Sequence, residues 1–341
     1  MTCLPEQSDV SDQHLPVLGL DIGGTKLAVG VVTADGRSHG VIVEPTRREE
    51  GWRAVVARLF EMGGRAIAAS GLGDIRAVGI ACGGPLDPAT GTLHGPPHLP
   101  GWIEVPLGPL ATEAFGVPVA LQNDASAAAL AEYRFGAGRG AGTMIYLTVS
   151  TGIGGGAVID GRLRPGAAGN GGEFGHVTVR RGGRLCSCGR LGCIEAYASG
   201  SSIAARAAKA LTDGAASILA TLSAVTAADV AAAAAAGDPL AVSIWNETMD
   251  LLGGAVTDLV NVFEPDMVVL GGGVTRSGAQ LLEPVRRVVA REAMPPAARA
   301  AQVALAELGD LVGVTGAGAV AHDMLTQQWT LEERFSKQAH V

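Results

Sequence analysis

The sequence predicts an α/β protein built from two domains, and three observations support this fold class. Its 341 residues are enough for two domains of ordinary size. Hydrophobic residues make up 48% of the chain, aromatic residues only 4%, and 50 residues are glycine, so we expect an aliphatic core and many turns. A strand, a glycine-rich turn and a second strand follow one another at 17–32 and again at 147–159, which indicates two halves of similar construction.

Charge and cysteine usage exclude several functional classes. The formal net charge is −8 and lysine and arginine form no run, so the chain lacks the basic surface that nucleic-acid binding needs. The polar stretch 1–16 contains no signal-peptide core, and no window of about eighteen apolar residues is free of glycine and charge. Cys3 and Cys82 have no evident disulfide partner, which favours a reducing compartment. We therefore expect a cytoplasmic protein with no nucleic-acid and no membrane partner.

The first half of the chain begins with a turn that suits an anion. After a predicted disordered lead at 1–15, a strand at 17–21 ends in Asp21, and a second strand at 27–32 follows the turn. The turn consists of Ile22, Gly23, Gly24, Thr25 and Lys26. Because glycine allows positive φ and close backbone approach, the N–H groups of such a turn can point at a phosphate. A plain β-turn, with Lys26 simply solvated, is the alternative.

An Asn-Asp pair follows a later strand of this half. The pattern predicts helices at 52–69, 107–115 and 125–135, and strands at 75–81 and 117–121. The loop at 82–88, which contains Gly84, is irregular because glycine and proline interrupt it. Asn123 and Asp124 come between the last strand and its helix. Asp124 is either the N-cap of that helix or a general base at the carboxyl edge of a sheet.

The second half opens with a glycine-rich hairpin. A strand ending at 147–149 is expected to break at 150–156, which includes Thr151 and Gly152, and to resume at 157–159. Further along, helices are predicted over most of 201–263, at 281–291 and at 311–324. A strand at 267–270 runs into a third glycine turn, Gly271, Gly272 and Gly273.

Three cysteines and a histidine form a candidate metal site. Cys186, Cys188 and Cys193 lie close together among glycines, and His176 precedes them. Thiolate sulfur and imidazole nitrogen are the ligands that tetrahedral zinc prefers, and four protein ligands leave no open position. The pattern therefore predicts a structural zinc site, with buried inert thiols as the alternative.

Several of these stretches together resemble a known family. The motifs are Asp21-Ile-Gly-Gly-Thr-Lys26, Thr151-Gly-Ile-Gly-Gly155, Glu173-Phe-Gly-His176 and Cys186-Ser-Cys-Gly-Arg-Leu-Gly-Cys193-Ile-Glu195. They resemble the ROK sugar kinases, and most closely their bacterial ATP-dependent glucokinase branch, from residue 17 to about residue 324. The resemblance implies the actin/hexokinase-like, ribonuclease H-like ATPase fold, in which two α/β domains surround a cleft. It implies a small domain of 16–123 with about 314–335, a large domain of 124–313 that carries the zinc knuckle, and a tail at 336–341.

The resemblance also implies roles for individual residues. Asp124 would remove the proton from the sugar 6-hydroxyl, and Asp21 would help to place Mg²⁺. The expected sugar contacts are Gly84, Asn123, Asp124, Glu173, His176 and Glu195. The expected ATP contacts are Asp21, Gly23, Gly24, Thr25, Lys26, Thr151, Gly152, Gly271, Gly272 and Gly273. His176 would use one nitrogen for structural Zn²⁺ and the other for the sugar. The implied cofactors are ATP, Mg²⁺ and structural Zn²⁺, and the implied assembly is a homodimer or homotetramer.

The sequence leaves the substrate open. Glucose is expected, but kinases of amino-hexoses or N-acetylhexosamines, such as kanosamine, N-acetylglucosamine and N-acetylmannosamine, share these motifs, and relatives also use polyphosphate as the donor. The same family includes sugar-responsive transcriptional regulators, which carry a winged helix-turn-helix before the kinase-like part. Only about sixteen polar residues precede the first strand here, which favours the enzyme.

Overall fold

The structure, a computed structural model, describes residues 16–338. Contacts divide the chain into two compact units. The first runs to Phe135 and includes Ala167–Asn170 and everything from Asp310, and the second comprises Gly136–Gly166 and Gly171–Gly309. The predicted lead at 1–15 and the last part of the predicted tail, 339–341, lie outside the described residues.

The first unit contains a five-stranded sheet in the order β3-β2-β1-β4-β7 and a small two-stranded sheet, β5-β6. Its elements are β1 (Val17–Ile22), β2 (Lys26–Val32), β3 (Ser38–Pro45), α1 (Trp52–Ser70), β4 (Val78–Cys82), β5 (Leu86–Asp87), β6 (Thr92–Leu93), α2 (Leu107–Phe115), β7 (Val119–Asn123) and α3 (Asp124–Phe135). Strands β1, β4 and β7 are parallel, and their register pairs Ile22 with Cys82 and Cys82 with Asn123. Parallel strands end at one edge of a sheet, so Asp21, Cys82 and Asp124 are brought to the same edge.

The second unit contains a five-stranded sheet in the order β10-β9-β8-β11-β12. Its elements are β8 (Thr143–Val149), β9 (Ile153–Ile159), β10 (Arg162–Leu163), α4 (Glu195–Ala198), α5 (Gly200–Thr212), α6 (Ala227–Ala235), α7 (Pro239–Phe263), β11 (Met267–Gly271), α8 (Ala279–Glu292), α9 (Pro295–Ala300) and β12 (Gln302–Leu305). The long helix α7 is capped by Asp238, whose side chain accepts from the Ala241 N–H, and Pro239 occupies its first turn. Its apolar face, which includes Trp245 and Leu252, lies in the core of this unit.

The last helix, α10 (Val312–Gln338), belongs to the first unit and packs directly on its sheet. A Cβ atom added to Gly19 of β1 would lie 2.4 Å from the Val314 oxygen, and one added to Gly79 of β4 would lie 1.8 Å from the Ala317 oxygen. Such distances are far below van der Waals contact, so the helix approaches these strands as closely as it does only because both residues are glycine.

Several predicted elements differ from those observed. Strand β9 starts at Ile153 and passes through the glycines, because Gly154 and Gly155 pair with Thr148 and Leu147 of β8, so the predicted break over 150–156 is wrong beyond 152. Strands β3, β5, β6, β10 and β12 were not predicted, and β5 lies within the loop at 82–88 that was expected to be irregular. Helix α10 continues past 324 and through the first three residues of the predicted tail.

Helix α3 also groups with the first unit, whereas the sequence-based domains placed 124–135 in the second. A Cβ atom on Gly316 of α10 would lie 2.8 Å from the backbone of Ala127, so α3 rests closely on α10. The assignment of functional domains stays a prediction.

Over the described residues, no single helix is both long and apolar enough to cross a membrane. The pair Ala227–Ala235 and Pro239–Phe263, bent by 111°, passes such a test on length and composition only.

Candidate functional site

The turn between β1 and β2 is tight. The Gly23 N–H donates to the Lys26 oxygen (3.0 Å), and the Thr46 hydroxyl donates to the Gly23 oxygen (2.6 Å). Thr25 and Lys26 are exposed at its tip. The two hydrogen bonds at Gly23 therefore fix the backbone of the turn, while the residues at its tip face solvent. Such an arrangement suits the binding of a phosphate group.

Asp21, at the end of β1, has a perturbed carboxyl group. Part of its surface remains accessible, yet its pKa is raised to about 7, first by burial of the carboxyl and then by the negative charge of Asp124, while Lys26 opposes the shift. The start of α10 presses against it, since a Cβ atom on Gly313 would lie 2.2 Å from Asp21 Oδ2. Two neighbouring carboxylates at one sheet edge repel one another, and a divalent cation would relieve that repulsion. Asp21 therefore fits the predicted Mg²⁺ position.

Asn123, rather than Asp124, caps helix α3. The Asn123 Oδ1 accepts hydrogen bonds from the N–H groups of Ala125 (3.0 Å) and Ser126 (3.2 Å). Asp124 Oδ1 accepts from the N–H of its immediate neighbour Ala125 (2.8 Å), but the helix begins at Asp124 itself, so the alternative in which Asp124 is the N-cap is wrong. Asp124 occupies the first turn of the helix, where the helix dipole favours a negative charge, and its side chain is exposed. Because the Asn123 Oδ1 is used by the cap, the side-chain NH₂ group of Asn123 can donate a hydrogen bond to a ligand.

The loop after β4 is held by a residue that the sequence did not single out. Asn170 accepts from the Leu86 N–H (3.2 Å) and donates to the Leu86 oxygen (3.0 Å), as a neighbouring strand would. A Cβ atom on Gly84 would lie 3.2 Å from Asn170 Oδ1 and 3.8 Å from Asn123 Nδ2. Gly84 and Asn123 are thus brought together, as the predicted sugar contacts require, and Asn170 fixes the loop beside them.

Two glycine turns share one edge of the sheet in the second unit. The turn at 150–152 follows β8 and the turn at 271–273 follows β11, its parallel neighbour. A Cβ atom on Gly272 (φ +90°) would lie 2.5 Å from the Val149 oxygen, so these two turns are in contact. The Ser201 hydroxyl donates to the Thr151 oxygen (2.7 Å) and anchors the first of them.

Glu195 joins this turn to the cysteine cluster. Its Oε2 accepts from the Ile153 N–H (2.9 Å), and its Oε1 accepts from the Ser187 hydroxyl (2.8 Å). A Cβ atom on Gly152 would lie 2.8 Å from Oε2, so a glycine is needed there. Cys186 Sγ also lies 3.5 Å from Oε1, so Oε2 is the oxygen with a second lone pair left to accept a hydrogen bond from a ligand.

The predicted zinc ligands come together with the spacing of a tetrahedral site. The ligand atoms of His176, Cys186, Cys188 and Cys193 all lie within 4.8 Å of one another. The Sγ atoms of Cys188 and Cys193 are 3.7 Å apart, and Cys186 Sγ is 3.6 Å from His176 Nδ1. Tetrahedral zinc, with Zn–S of about 2.3 Å and Zn–N of about 2.0 Å, gives S···S and S···N separations of about 3.8 and 3.5 Å. The donor set and its geometry therefore fit zinc.

The thiols also need a cation if they are to ionise together. Burial and the neighbouring thiols Cys188 and Cys186 raise the pKa of Cys193 to about 12. A bound metal reverses this effect, because coordination favours the thiolate.

His176 presents its two nitrogens to different groups. Nδ1 faces the cysteine cluster, whereas Nε2 lies 3.8 Å from Glu173 Oε2. Glu173 and His176 flank a short 3₁₀ turn at Phe174–His176, and a Cβ atom on Gly175 within it would lie 2.0 Å from the Ile153 oxygen. The two ring nitrogens thus face different groups, and the double role of His176 stays a prediction.

Comparison with known proteins identifies the family. The ROK family model matches residues 17–324. The chain belongs to the ROK family. The ROK hexokinase from Thermus thermophilus has the same fold, with a TM-score of 0.79 and 37% identity over 92% of this chain and 100% of that chain. The ROK glucokinase from Streptomyces griseus, solved in complex with glucose and AMPPNP, gives 0.74 and 36% over 90% and 99%. These matches confirm the predicted family and its two-domain actin/hexokinase-like fold.

Curated ROK relatives carry more than one function. A glucokinase of Halalkalibacterium halodurans is 34% identical over 308 residues, 88% of this chain and 93% of the relative. An N-acetylmannosamine kinase of Citrobacter koseri is 33% identical over 314 residues, 90% and 99% of the two chains. A xylose repressor of Caldicellulosiruptor bescii is 32% identical over 256 residues, 74% of this chain and 64% of that protein.

Proposed function

We propose that this ROK protein is an ATP-dependent hexokinase that phosphorylates the 6-hydroxyl of a hexose, with glucose as the expected substrate. The observation that carries the proposal is the sheet edge in the first unit, where Asn123 is the N-cap of α3 and the exposed carboxylate of Asp124 lies near the perturbed carboxyl of Asp21. Two relatives named glucokinase, at 34% and 36% identity and the second solved with glucose and AMPPNP, and a ROK hexokinase at 37% support the same reaction.

Asp124 is assigned the role of general base. Its carboxylate accepts the proton of the 6-hydroxyl as the sugar oxygen forms its bond to the γ-phosphorus, and the bond from that phosphorus to the β–γ bridging oxygen breaks, releasing ADP. Mg²⁺ bound with ATP would be held near Asp21 and would offset the charge of the phosphates. Two turns are assigned to the phosphates of ATP: the turn of Gly23, Gly24 and Thr25, with Lys26 as an added cation, and the turn of Thr151 and Gly152. The third turn, of Gly271, Gly272 and Gly273, is assigned to the adenosine side.

The remaining hydroxyls of the sugar are assigned to Gly84, Asn123, Glu173, His176 and Glu195. Ionised carboxylates accept hydrogen bonds and cannot donate them, so Glu173 and Glu195 suit hydroxyl groups. His176, Cys186, Cys188 and Cys193 are assigned to a structural zinc ion that fixes His176 Nδ1 and leaves Nε2 for the sugar.

A second candidate is an amino-hexose or N-acetylhexosamine 6-kinase. The N-acetylmannosamine kinase relative supports it, and the two carboxylates would accept hydrogen bonds from an ammonium group equally well. A regulator of the repressor type is a remote third candidate, because two neighbouring carboxylates at a sheet edge serve phosphoryl transfer and are not needed for sensing a sugar.

A substrate panel with coupled detection of ADP tests the proposal. Initial rates are measured on glucose, mannose, N-acetylglucosamine, N-acetylmannosamine and kanosamine, each with Mg²⁺ and either ATP or polyphosphate. We expect glucose with ATP to have the highest kcat/KM and N-acetylglucosamine to be poorer. An amino-hexose that exceeds glucose tenfold would replace glucose as the substrate, and no turnover on any sugar would refute the kinase.

Assembly and location remain part of the proposal. We expect a homodimer or homotetramer in the cytoplasm, where ATP is available, and light scattering coupled to size exclusion measures the assembly. Cys82, Cys186, Cys188 and Cys193 are free thiols, consistent with a reducing compartment.

A further inference from the structure

His98 lies between two of the glycine-rich segments of the first unit. It belongs to the proline-rich stretch that connects β6 to α2. A Cβ atom added to Gly83 would lie 2.4 Å from the imidazole Cε1, and one added to Gly24 would lie 3.0 Å from the His98 oxygen. Neither glycine could carry a side chain without displacing His98. The histidine therefore sits against both the turn assigned to phosphate and the loop assigned to sugar.

The imidazole contains a polar atom without a partner. Its Nε2 is buried and has no hydrogen-bond partner among residues 16–338. Two other histidines of this unit each have a partner: His94 Nδ1 lies 2.8 Å from Glu104 Oε1, and His322 Nε2 lies 3.2 Å from the Val32 oxygen. A buried polar atom without a partner destabilises the fold, so such an atom calls for an explanation.

The surroundings of His98 favour a neutral ring. Burial lowers the pKa of His98, the charge of Asp124 opposes this shift, and Arg48 adds to it. Arg48 Nη1 donates to the His98 backbone oxygen (3.3 Å), so the guanidinium is held nearby. A neutral imidazole offers one donor and one acceptor, as a sugar hydroxyl does. A phosphate would be matched better by a cation.

We propose that His98 is a further substrate-binding residue of the hexokinase, whose Nε2 exchanges a hydrogen bond with a hydroxyl group of the bound sugar. This inference rests on the proposed function. It explains why a buried nitrogen is kept without a protein partner beside Gly83 and near Asp124, the residue assigned to the reacting hydroxyl.

Amide substitutions can locate the nitrogen that is used. In His98→Gln the side-chain amide nitrogen can take the place of Nε2, whereas in His98→Asn it falls near Nδ1. His98→Leu removes both nitrogens, and His94→Gln is the matched control four residues away. Glucose affinity is measured by calorimetry without nucleotide, AMPPNP affinity is measured separately, and the other sugars of the panel are tested if glucose does not bind.

We expect His98→Leu and His98→Asn to weaken sugar binding roughly tenfold, the loss of one hydrogen bond, and His98→Gln to stay within about threefold of the wild type. AMPPNP affinity should stay within about twofold, and His94→Gln should match the wild type in both. The Tm of His98→Leu should not fall, because the substitution removes an unsatisfied polar atom.

Other results would overturn the inference. Unchanged sugar affinity in His98→Leu would exclude the contact, and so would better retention by Asn than by Gln. A loss of AMPPNP affinity with unchanged sugar affinity would assign the nitrogen to phosphate instead. If the wild type binds no sugar of the panel, both the proposed function and this inference are refuted. If the wild type binds sugar and His98→Leu binds it equally well, only the inference is refuted.

Discussion

At the scale of single residues, Asn123 is the N-cap of α3 and Asp124 is the proposed general base, so the base can be tested without removing the cap. Asn123 supplies the cap of α3, and Asp124 Oδ1 accepts a further hydrogen bond from the Ala125 N–H (2.8 Å), which an asparagine oxygen at 124 can also accept. We expect Asp124→Asn to lower kcat by about 10²–10⁴ while the Tm stays close to that of the wild type. Asp160→Asn is the control, since Asp160 is exposed in a turn with positive φ that asparagine tolerates. Turnover within threefold of the wild type would remove Asp124 from the reaction.

Asp21 links stability to pH. The folded-state pKa of about 7 exceeds the value of about 3.9 expected in an unfolded chain. The folded state therefore binds more protons between about pH 4 and pH 7, and the contribution of Asp21 to stability falls as the pH rises through that window. Without Mg²⁺ or nucleotide, we expect Asp21→Asn to raise the Tm at pH 8 by a few degrees more than at pH 5. Calorimetric scans at both pH values measure this, and an equal difference at the two would contradict the assigned pKa.

At the scale of elements, the contact between α10 and the first sheet depends on glycine. In Gly79→Ala the added methyl group would lie 1.8 Å from the backbone oxygen of Ala317, which no side-chain rotation can relieve. We expect a loss of stability of about 3 kcal/mol or more. In Gly64→Ala, on α1, the new methyl group has no atom within 4 Å, and we expect a gain of about 0.4–1 kcal/mol. Urea unfolding of both variants tests the pair, and similar effects of the two changes would refute the packing argument.

The cysteine cluster is the second element with a direct test. If His176, Cys186, Cys188 and Cys193 hold zinc, metal analysis should find about one zinc per chain. Chelation should lower the Tm, because binding stabilises the fold that forms the site. Cys188→Ser should lose most of the metal, and Cys82→Ser should keep it, since Cys82 lies in β4 of the other unit. Metal-free protein with full activity would refute the zinc site and favour the alternative, in which these thiols are inert and bind no metal.

At the scale of the whole molecule, the sequence predicted most of the residues assigned to chemistry but not the distant residues that contact them. The two glycine turns, Asp124 and the zinc ligands belong to short local motifs, and the structure places each at a strand end or in one cluster. Asn170 and His98 gave no local signal, because their contacts are made across the chain: Asn170 is separated from Leu86 by 84 residues. Strand β9 was misjudged for a related reason, since pairing with β8 overrides the low strand propensity of its glycines.

Glu195 connects parts of the second unit that are distant in sequence, because one oxygen accepts from the hairpin at Ile153 and the other from Ser187 of the cysteine cluster. In Glu195→Gln one of these donors faces an amide NH₂ group, so the side chain loses a protein contact as well as its charge. We expect the sugar KM to rise about tenfold or more and the KM of ATP to change less than threefold.

Ser187→Ala should raise the sugar KM by a smaller factor, and adding it to Glu195→Gln should have little further effect, since the two residues share one hydrogen bond. Steady-state kinetics of the two single variants and the double variant measure this coupling, and a larger change in the KM of ATP than of sugar would place Glu195 on the nucleotide side.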